Sequence, residues 1–190
     1  MSIRVVAGAA RGRRLRVPRG ERTRPTAAVV REALFDMLAH RDRVVGRVLL
    51  DLFAGSGALG IEALSRGAAE VVFVEDARSV ARLLVSNVEA TGVADRAEVL
   101  AMPMERALGR LERRGVVADG VLADPPYESG WAVRVLRALA ATRVLAPGGW
   151  IALEHAAGEP PIAVPGLAVE SSRRYGSTAL TMLVREEAAT

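Results

Sequence analysis

The sequence contains no cysteine and no lysine, and only 4% of its 190 residues are aromatic. Without cysteine, the chain can form neither disulfides nor thiolate metal sites. No apolar run approaches the roughly 18 residues that a membrane-spanning helix requires. The first residues, MSIRVVAG, lack the charged and long apolar segments of a secretory signal. These absences predict a soluble, cytoplasmic protein, and the length suits a single domain with an appended piece.

The absence of lysine makes arginine the main basic residue, and its distribution is uneven. Residues 1–47 hold 12 arginines against 4 acidic residues, a net charge of +8, whereas residues 48–190 hold 14 against 18, a net charge of −4. A basic segment beside a mildly acidic body is typical of a protein that binds RNA or DNA, although a solvated arginine-rich surface would have the same composition. We interpret residues 1–47 as a basic N-terminal hairpin-and-helix extension and residues 48–190 as the main domain.

Hydrophobic periodicity predicts the elements of both parts. In the extension, IRVVAG and RRLRVP flank AARG and predict a hairpin with Gly8 and Gly12 near its turn, and RTRPTAAVVREALFDMLAH predicts a helix with Thr26 as its N-cap. In the main domain, strands are expected at 48–53, 71–75, 97–101, 117–123 and 149–154, and helices at 58–66, 77–90, 104–114 and 130–141. A final antiparallel hairpin is expected to turn at Gly176-Ser177. We therefore predict an α/β fold with a mostly parallel, seven-stranded sheet covered on both faces.

A glycine-rich turn follows the first strand of the main domain. In VLLDLFAGSGALGIEAL, Gly55, Gly57 and Gly60 satisfy the pattern G-x-G-x-x-G, and Glu75 ends the next strand 20 residues after Gly55. Glycines allow a ligand to approach the backbone, and a carboxylate at the tip of the second strand can accept hydrogen bonds from ribose hydroxyls. The pattern predicts a nucleoside-bearing cofactor, either NAD or S-adenosylmethionine (SAM).

Two features favour SAM over NAD. Asp51 lies at the carboxyl end of the first strand, where a carboxylate suits the ammonium group of a methionine moiety and would repel a pyrophosphate. The second feature is the sequence Asp124-Pro125-Pro126-Tyr127, which ends the fourth strand because neither proline can donate to a sheet. If the strand order reverses between the first and fourth strands, this sequence lies across a crevice from the glycine-rich turn.

The complete set of motifs resembles a known family. D-P-P-Y resembles motif IV of the amino-methyltransferases, and RVVAGAARGRRL, RTRPTAAVVREALFDML, LLDLFAGSGALGIEALSRGA, VVFVED, LADPPY and YGSTALT occur in the order found in RsmD-type bacterial methyltransferases. The resemblance covers nearly the whole chain. It implies a SAM-dependent methyltransferase (Rossmann-like) fold and methyl transfer to the exocyclic N2 of a guanine in small-subunit 16S rRNA. The chain departs from the family at Ala9-Ala10, where an aromatic residue is usual, and at Met102-Pro103, where an acidic residue is usual.

The resemblance also implies roles for individual residues. The Asp124 carboxylate and the Pro125 carbonyl would accept the two N–H groups of the guanine amine, with Pro126 in the same motif and Tyr127 stacked on the base. The expected cofactor-binding residues are Asp51, Phe53, Ala54, Gly55, Ser56, Gly57, Glu75, Asp76 and Met102. The expected RNA-binding residues are Arg4, Arg11, Arg13, Arg14, Arg16, Arg24 and Arg31. No metal is expected.

Other functions remain open from the sequence. The same site chemistry serves other planar amines, such as adenine N6 in DNA or glutamine N5 in a protein. A chain of this fold could also be a non-catalytic RNA-binding assembly factor, although intact Asp51, Glu75 and Asp124 argue against a decayed site. The expected partner is 16S rRNA, within the small ribosomal subunit or an assembly intermediate.

Overall fold

Short apolar segments alternating with amphipathic ones produce the strands and helices of the computed structural model, which describes residues 2–18, 25–127, 130–158 and 163–187. The N-terminal elements are β1 (Ser2–Arg4), β2 (Arg14–Arg16) and α1 (Pro25–Ala39). The alternating elements are β3 (Val48–Leu52), α2 (Ala58–Ser65), β4 (Glu70–Val74), α3 (Arg78–Thr91), a 3-10 turn (Ala94–Arg96), β5 (Ala97–Leu100), α4 (Met104–Arg113), β6 (Ala118–Ala123) and α5 (Trp131–Ala140). The last strands are β7 (Leu145–Ala156), β8 (Leu167–Tyr175) and β9 (Thr178–Arg185).

Seven strands form the main sheet in the order β5-β4-β3-β6-β7-β9-β8. The first five in this order pair in parallel, and β9 pairs antiparallel with both β7 and β8. The predicted parallel sheet with a C-terminal antiparallel hairpin is therefore confirmed. Because β3 lies directly beside β6, the chain reverses its winding direction there and leaves a crevice at the carboxyl ends of these two strands. Within the described residues, no helix is long and apolar enough to span a membrane.

The two faces of the sheet bury separate hydrophobic clusters. The first face carries Leu49, Phe73, Leu122 and Leu180, which pack with side chains from the N-terminal hairpin and from α1, α2 and α3. The second face carries the alternate strand positions, packed with α4 and α5 and represented by Leu50, Val72, Val121 and Leu183. Burial on both faces explains the nearly continuous apolar strands of the sequence.

Two predicted boundaries need correction. The first helix begins at Pro25, so Thr26 lies inside its first turn and is not the N-cap; proline is favoured at the first helical position because its missing N–H needs no partner there. The fifth parallel strand begins at Leu145, four residues earlier than predicted. Its pairing with β6 contains an irregularity: Ala118 pairs with Leu145, but Gly120 already pairs with Trp150, so the extra residues of β7 bulge between these two pairs. The segment Pro147-Gly148-Gly149, which resembles a turn in sequence, forms part of this strand.

Buried polar contacts attach the N-terminal hairpin to the main domain. The backbone amides of Val6 and Ala7 donate to the two carboxylate oxygens of Glu62 at 2.7 and 3.0 Å. Because these two amides donate to Glu62, the ladder between β1 and β2 does not extend through them. Ser65 accepts a hydrogen bond from the Ala10 amide at 2.9 Å, and its carbonyl accepts one from the Ala9 amide at 2.8 Å. The predicted boundary at residue 47 stays a prediction, but residues on both sides of it share the first-face cluster.

Gly8 and Gly12 provide a matched test of this attachment. Both have a positive φ, 81° at Gly8 and 82° at Gly12, but a Cβ at Gly8 would lie 1.8 Å from the carbonyl oxygen of Ser65, whereas a Cβ at Gly12 would meet nothing within 4 Å. We expect Gly12→Ala to lower the free energy of unfolding by about 1–2 kcal/mol through backbone strain. Gly8→Ala adds displacement of the hairpin and should cost roughly 3 kcal/mol or more. Equal losses in urea denaturation of the two variants would show that the hairpin is not held against α2.

Candidate functional site

Three carboxylates converge at the carboxyl edge of the sheet. In the parallel register, Asp51 of β3 pairs with Phe73 of β4 and with Leu122 of β6. Glu75 lies two positions after Phe73 and Asp124 two positions after Leu122, so the period of two places all three side chains on the first face. The neighbouring strand ends predicted from the sequence therefore meet at one site.

Asp51 is the buried member of this group, with 1% of its surface exposed. Its Oδ2 accepts a hydrogen bond from the Gly60 amide at 2.8 Å. Burial raises the pKa of Asp51 to about 7, and the charges of Asp124 and Glu75 add to this increase against the opposing effect of the Gly60 hydrogen bond. A cation at the site would favour the ionised form of Asp51.

The glycine-rich turn after β3 is held by Glu75. Its carboxylate accepts hydrogen bonds from the amides of Gly55 and Ala77, both at 2.9 Å. The turn carries positive φ angles at Phe53, Gly55 and Gly57, and Phe53 is one of only two non-glycine residues with a positive φ in the described chain. Left-handed backbone at such a residue is costly and is concentrated at binding sites. Glu75 therefore orients the turn, and each of its carboxylate oxygens keeps a lone pair that a ligand hydroxyl could use.

The predicted acceptor motif forms the loop after β6. Asp124 is exposed, Pro125 is buried, and the Tyr127 hydroxyl lies 3.0 Å from the Thr178 hydroxyl of β9. Thr178 is only 4% exposed, so its position is set by the sheet. The loop is thus anchored at the buried proline and at the tyrosine hydroxyl, and it presents the Asp124 carboxylate to the crevice.

The remaining predicted cofactor residues surround the same turn. Ala54 and Ser56 are buried, and the Ser56 carbonyl accepts a hydrogen bond from Asn87 at 2.8 Å. Asp76 is exposed after β4. Met102 follows β5, where its amide donates to the Leu100 carbonyl at 3.0 Å. The structure thus places these residues along three adjacent strand ends, and their contacts with a cofactor stay predictions.

The predicted RNA-binding arginines differ in how far they are exposed to solvent. Arg11, Arg14 and Arg16 are exposed, as are Arg4 and Arg13. Arg24 lies outside the described residues. Arg31 differs from the exposed arginines, because it is only 7% exposed and donates to the Arg4 carbonyl at 3.1 Å; its contact with RNA stays a prediction that this burial does not favour. Burial lowers the pKa of Arg31, whereas the charges of Glu62, Glu32 and Glu154 raise it.

Several residues that support the site were not predicted from the sequence. Glu62 is completely buried and joins the hairpin to α2, and its position as a single acid in the apolar segment ALGIEALS could have indicated this role. Thr178 and Trp131 had no comparable signal, because their partners are distant in sequence. Trp131 packs edge-on against Phe53 with ring centroids 5.3 Å apart, and the Arg134 guanidinium lies 4.4 Å from the Trp131 ring centroid.

The donor set fits SAM. Its sulfonium and ammonium groups are cationic, and the site concentrates the charges of Asp51, Glu75 and Asp124, whereas the pyrophosphate of NAD would be repelled. The Cβ of any residue at position 60 would lie 2.9 Å from Oδ2 of Asp51 and 2.3 Å from the Phe73 ring, so Gly60 is needed for Asp51 to sit beneath the turn. In the described parts of the chain, no group of three or more acidic, histidine or cysteine side chains is arranged to hold a metal ion.

The reversed strand order and the glycine-rich turn are those of the SAM-dependent methyltransferase fold, which solved structures of 15% identity share. The model of the family described as "Conserved hypothetical protein 95" matches residues 3–184. The chain belongs to this family, which is the RsmD-type family of the sequence prediction.

Individual relatives cover most of the chain. "Ribosomal RNA small subunit methyltransferase D" of Escherichia coli K12 is 40% identical over 152 residues, 80% of this chain and 71% of that protein. The Haemophilus influenzae protein of the same name is 35% identical over 164 residues, 84% of this chain and 82% of that protein. A solved hypothetical protein from Thermus thermophilus superposes with a TM-score of 0.81 at 35% identity, covering 97% of this chain and 99% of that one.

Asp51→Asn should raise the stability of the protein above neutral pH and lower its affinity for the cofactor. Between the usual carboxyl pKa of 3.8 and about 7, the folded protein holds a proton on Asp51 that the unfolded chain has lost, so the free energy of unfolding falls as pH rises through this window. Asparagine does not titrate, and its side-chain oxygen can still accept from Gly60. We expect the variant to be more stable than wild type by roughly 1–4 kcal/mol at pH 8 and equally stable near pH 4.

The same variant should bind SAM more weakly, because it lacks the charge that faces the cation. Urea denaturation at several pH values and calorimetric titration with SAM measure the two effects. Asp95→Asn, at a 77% exposed carboxylate, is the control and should change neither. Lower stability of Asp51→Asn at pH 8, or unchanged affinity, would contradict this interpretation.

Proposed function

We propose that this protein transfers the methyl group of SAM to the exocyclic N2 of a guanine in small-subunit 16S rRNA. The observation that carries the proposal is the position of Asp124-Pro125-Pro126-Tyr127 directly beside the glycine-rich turn, where β6 pairs with β3. The names of the relatives, "Ribosomal RNA small subunit methyltransferase D", support ribosomal RNA as the substrate. The exposed arginines of the hairpin support a polyanionic partner.

The chain's own groups would activate the amine by orienting it. The lone pair of an exocyclic guanine amine is delocalised into the ring, which makes the nitrogen a poor nucleophile. If the Asp124 carboxylate and the Pro125 carbonyl accept its two N–H groups, the lone pair is directed away from the ring plane towards the cofactor side of the crevice. When bound, SAM supplies a methyl group already activated by its sulfonium. The extra proton of the alkylated nitrogen then leaves to Asp124 or water, so no strongly tuned base is required.

Tyr127 would hold the base. A guanine in a duplex cannot present its N2 to the bottom of a crevice, so the nucleotide must be unpaired or flipped out. The Tyr127 hydroxyl lies 3.0 Å from Thr178, which restricts the ring and makes it a fixed stacking surface. The buried Pro125 fixes the other end of the motif.

The N-terminal hairpin would position the RNA through its backbone. Arg11, Arg14 and Arg16 are exposed and lie on the hairpin that Glu62 and Ser65 attach to α2. Phosphate contacts of this kind fix register without reading sequence. We infer that the substrate is rRNA in the small subunit or in an assembly intermediate, encountered in the cytoplasm.

Transfer from labelled SAM tests the proposal. Wild-type protein is incubated separately with 16S rRNA, small subunits, DNA and a protein extract, and the label is located by nuclease digestion and nucleoside analysis. We expect label on guanine N2 of 16S rRNA. Label on adenine N6 or on a glutamine side chain would assign one of the other planar amines, and the absence of label from every substrate would contradict an active enzyme.

Asp124→Ala should abolish this transfer, but it should weaken SAM binding much less than Asp51→Asn does, because the exposed Asp124 carboxylate is screened by solvent. Removal of one orienting electrostatic group from a transition state costs about 3–4 kcal/mol, or roughly a hundredfold to a thousandfold in rate. The control is Asp95→Ala, which removes an exposed carboxylate next to β5 at its amino end and should retain full turnover. Wild-type turnover in Asp124→Ala, with calorimetry confirming cofactor binding, would exclude Asp124 as the acceptor-orienting group.

A further inference from the structure

One row of residues crosses the first face from the catalytic motif to the edge of the sheet. Ala123 of β6 pairs with Leu153 of β7, so Asp124 is level with Glu154. Glu154 pairs with Leu180 of β9, and Leu180 pairs with Arg173 of β8. Neighbouring strands lie roughly 4.8 Å apart, so the backbone of Arg173 is about 14 Å from that of Asp124. The register therefore places the Arg173 side chain on the first face of the sheet, three strands away from Asp124.

The next row connects the same hairpin directly to the catalytic motif. Tyr175 of β8 pairs with Thr178 of β9, and the Thr178 hydroxyl lies 3.0 Å from that of Tyr127. Arg173 precedes Tyr175 by two residues and shares its face. The end of the β8–β9 hairpin is thus tied to the loop that carries Asp124 through a partly buried contact.

The guanidinium of Arg173 is exposed and forms no ion pair or hydrogen bond with any residue inside the described ranges. By contrast, Arg41 and Arg43 both pair with Glu170 on the same strand. Arg174 is equally exposed, but it pairs with Ala179 on the opposite side of the strand and donates its Nε to the Gly176 carbonyl at 2.9 Å. Two adjacent arginines therefore differ in the face they occupy.

A positive charge near the crevice would favour the binding of a nucleic acid. Asp51, Glu75 and Asp124 concentrate negative charge at the strand ends, which would repel a nucleic acid backbone entering the crevice. The basic hairpin is attached to α2 and α3, which pack over β3, β4 and β5. Arg173 lies at the other end of the strand order, on edge strand β8.

We infer that Arg173 binds a backbone phosphate of a nucleotide flanking the target guanine, on the side of the crevice opposite the N-terminal hairpin. This inference rests on the proposed function. Arg173 is too far from Asp124 to contact the target base itself. A guanidinium binds phosphate through two parallel hydrogen bonds, so the contact would fix the position of the strand as well as adding affinity.

Binding of a 16S rRNA transcript by Arg173→Gln and Arg174→Gln tests the inference. Filter-binding titrations at several salt concentrations give the affinity and its salt dependence, and calorimetry with SAM checks the cofactor site. We expect Arg173→Gln to bind RNA roughly five- to tenfold more weakly and to lower the log–log salt slope by about 0.7, the value for one phosphate contact. Arg174→Gln should stay within about twofold of wild type with an unaltered slope. Arg173→Lys should retain the slope, and SAM affinity should be unchanged in all variants.

Two results would overturn the inference: equal losses in Arg173→Gln and Arg174→Gln, which would indicate a non-specific charge effect, or no loss in Arg173→Gln. Methyl transfer separates this outcome from failure of the proposed function. A wild-type protein that transfers methyl to 16S rRNA while Arg173→Gln binds it normally would contradict only the role of Arg173. A wild-type protein that binds the transcript with the expected difference between the variants but methylates another substrate would contradict only the proposed function.

Discussion

The burial of the Asp51 carboxyl group beside Glu75 and Asp124 is the constraint around which this protein is organised. A parallel sheet places their strand ends together, and burial of Asp51 makes their mutual repulsion stronger than it would be in water. The surrounding contacts compensate in part: the Gly60 amide donates to Asp51, and the amides of Gly55 and Ala77 donate to Glu75. What remains is a negative site beside a crevice, suited to a cationic cofactor.

The negative charge of this site also explains why positive charges are expected around it. A negative site that must accept a polyanion needs cations at its margins. The exposed arginines of the hairpin lie near α2 and α3, and Arg173 lies on edge strand β8 at the other end of the strand order. Glu62 has an opposite role: its carboxylate is wholly buried, accepts two backbone amides of the hairpin and pairs with Arg66 at the end of its own helix. Acidic residues thus serve binding in one place and attachment in another, according to what they contact.

The sequence predicted what depends on local pattern. The strands of the parallel sheet follow from apolar runs, the glycine-rich turn from glycine spacing, and the proximity of Asp51, Glu75 and Asp124 from their shared position at strand ends. It did not predict contacts between distant segments, such as Tyr127 with Thr178, or the burial of Arg31, since nothing local distinguishes a buried arginine from an exposed one. The start of β7 was missed because a bulge allows Pro147-Gly148-Gly149 to remain in a strand.

Whether the carboxylate cluster is built to receive a cation can be measured by carbon-13 NMR titration of the Asp51 carboxyl group with and without SAM. We expect a pKa of about 7 in the free protein, because the group is buried beside two other carboxylates. Binding of the cationic cofactor should lower this pKa by about one unit or more, since the cation favours the ionised form. A pKa near 4 in the free protein, or a pKa that does not change when SAM binds, would contradict the claim that this cluster is built to receive a cation.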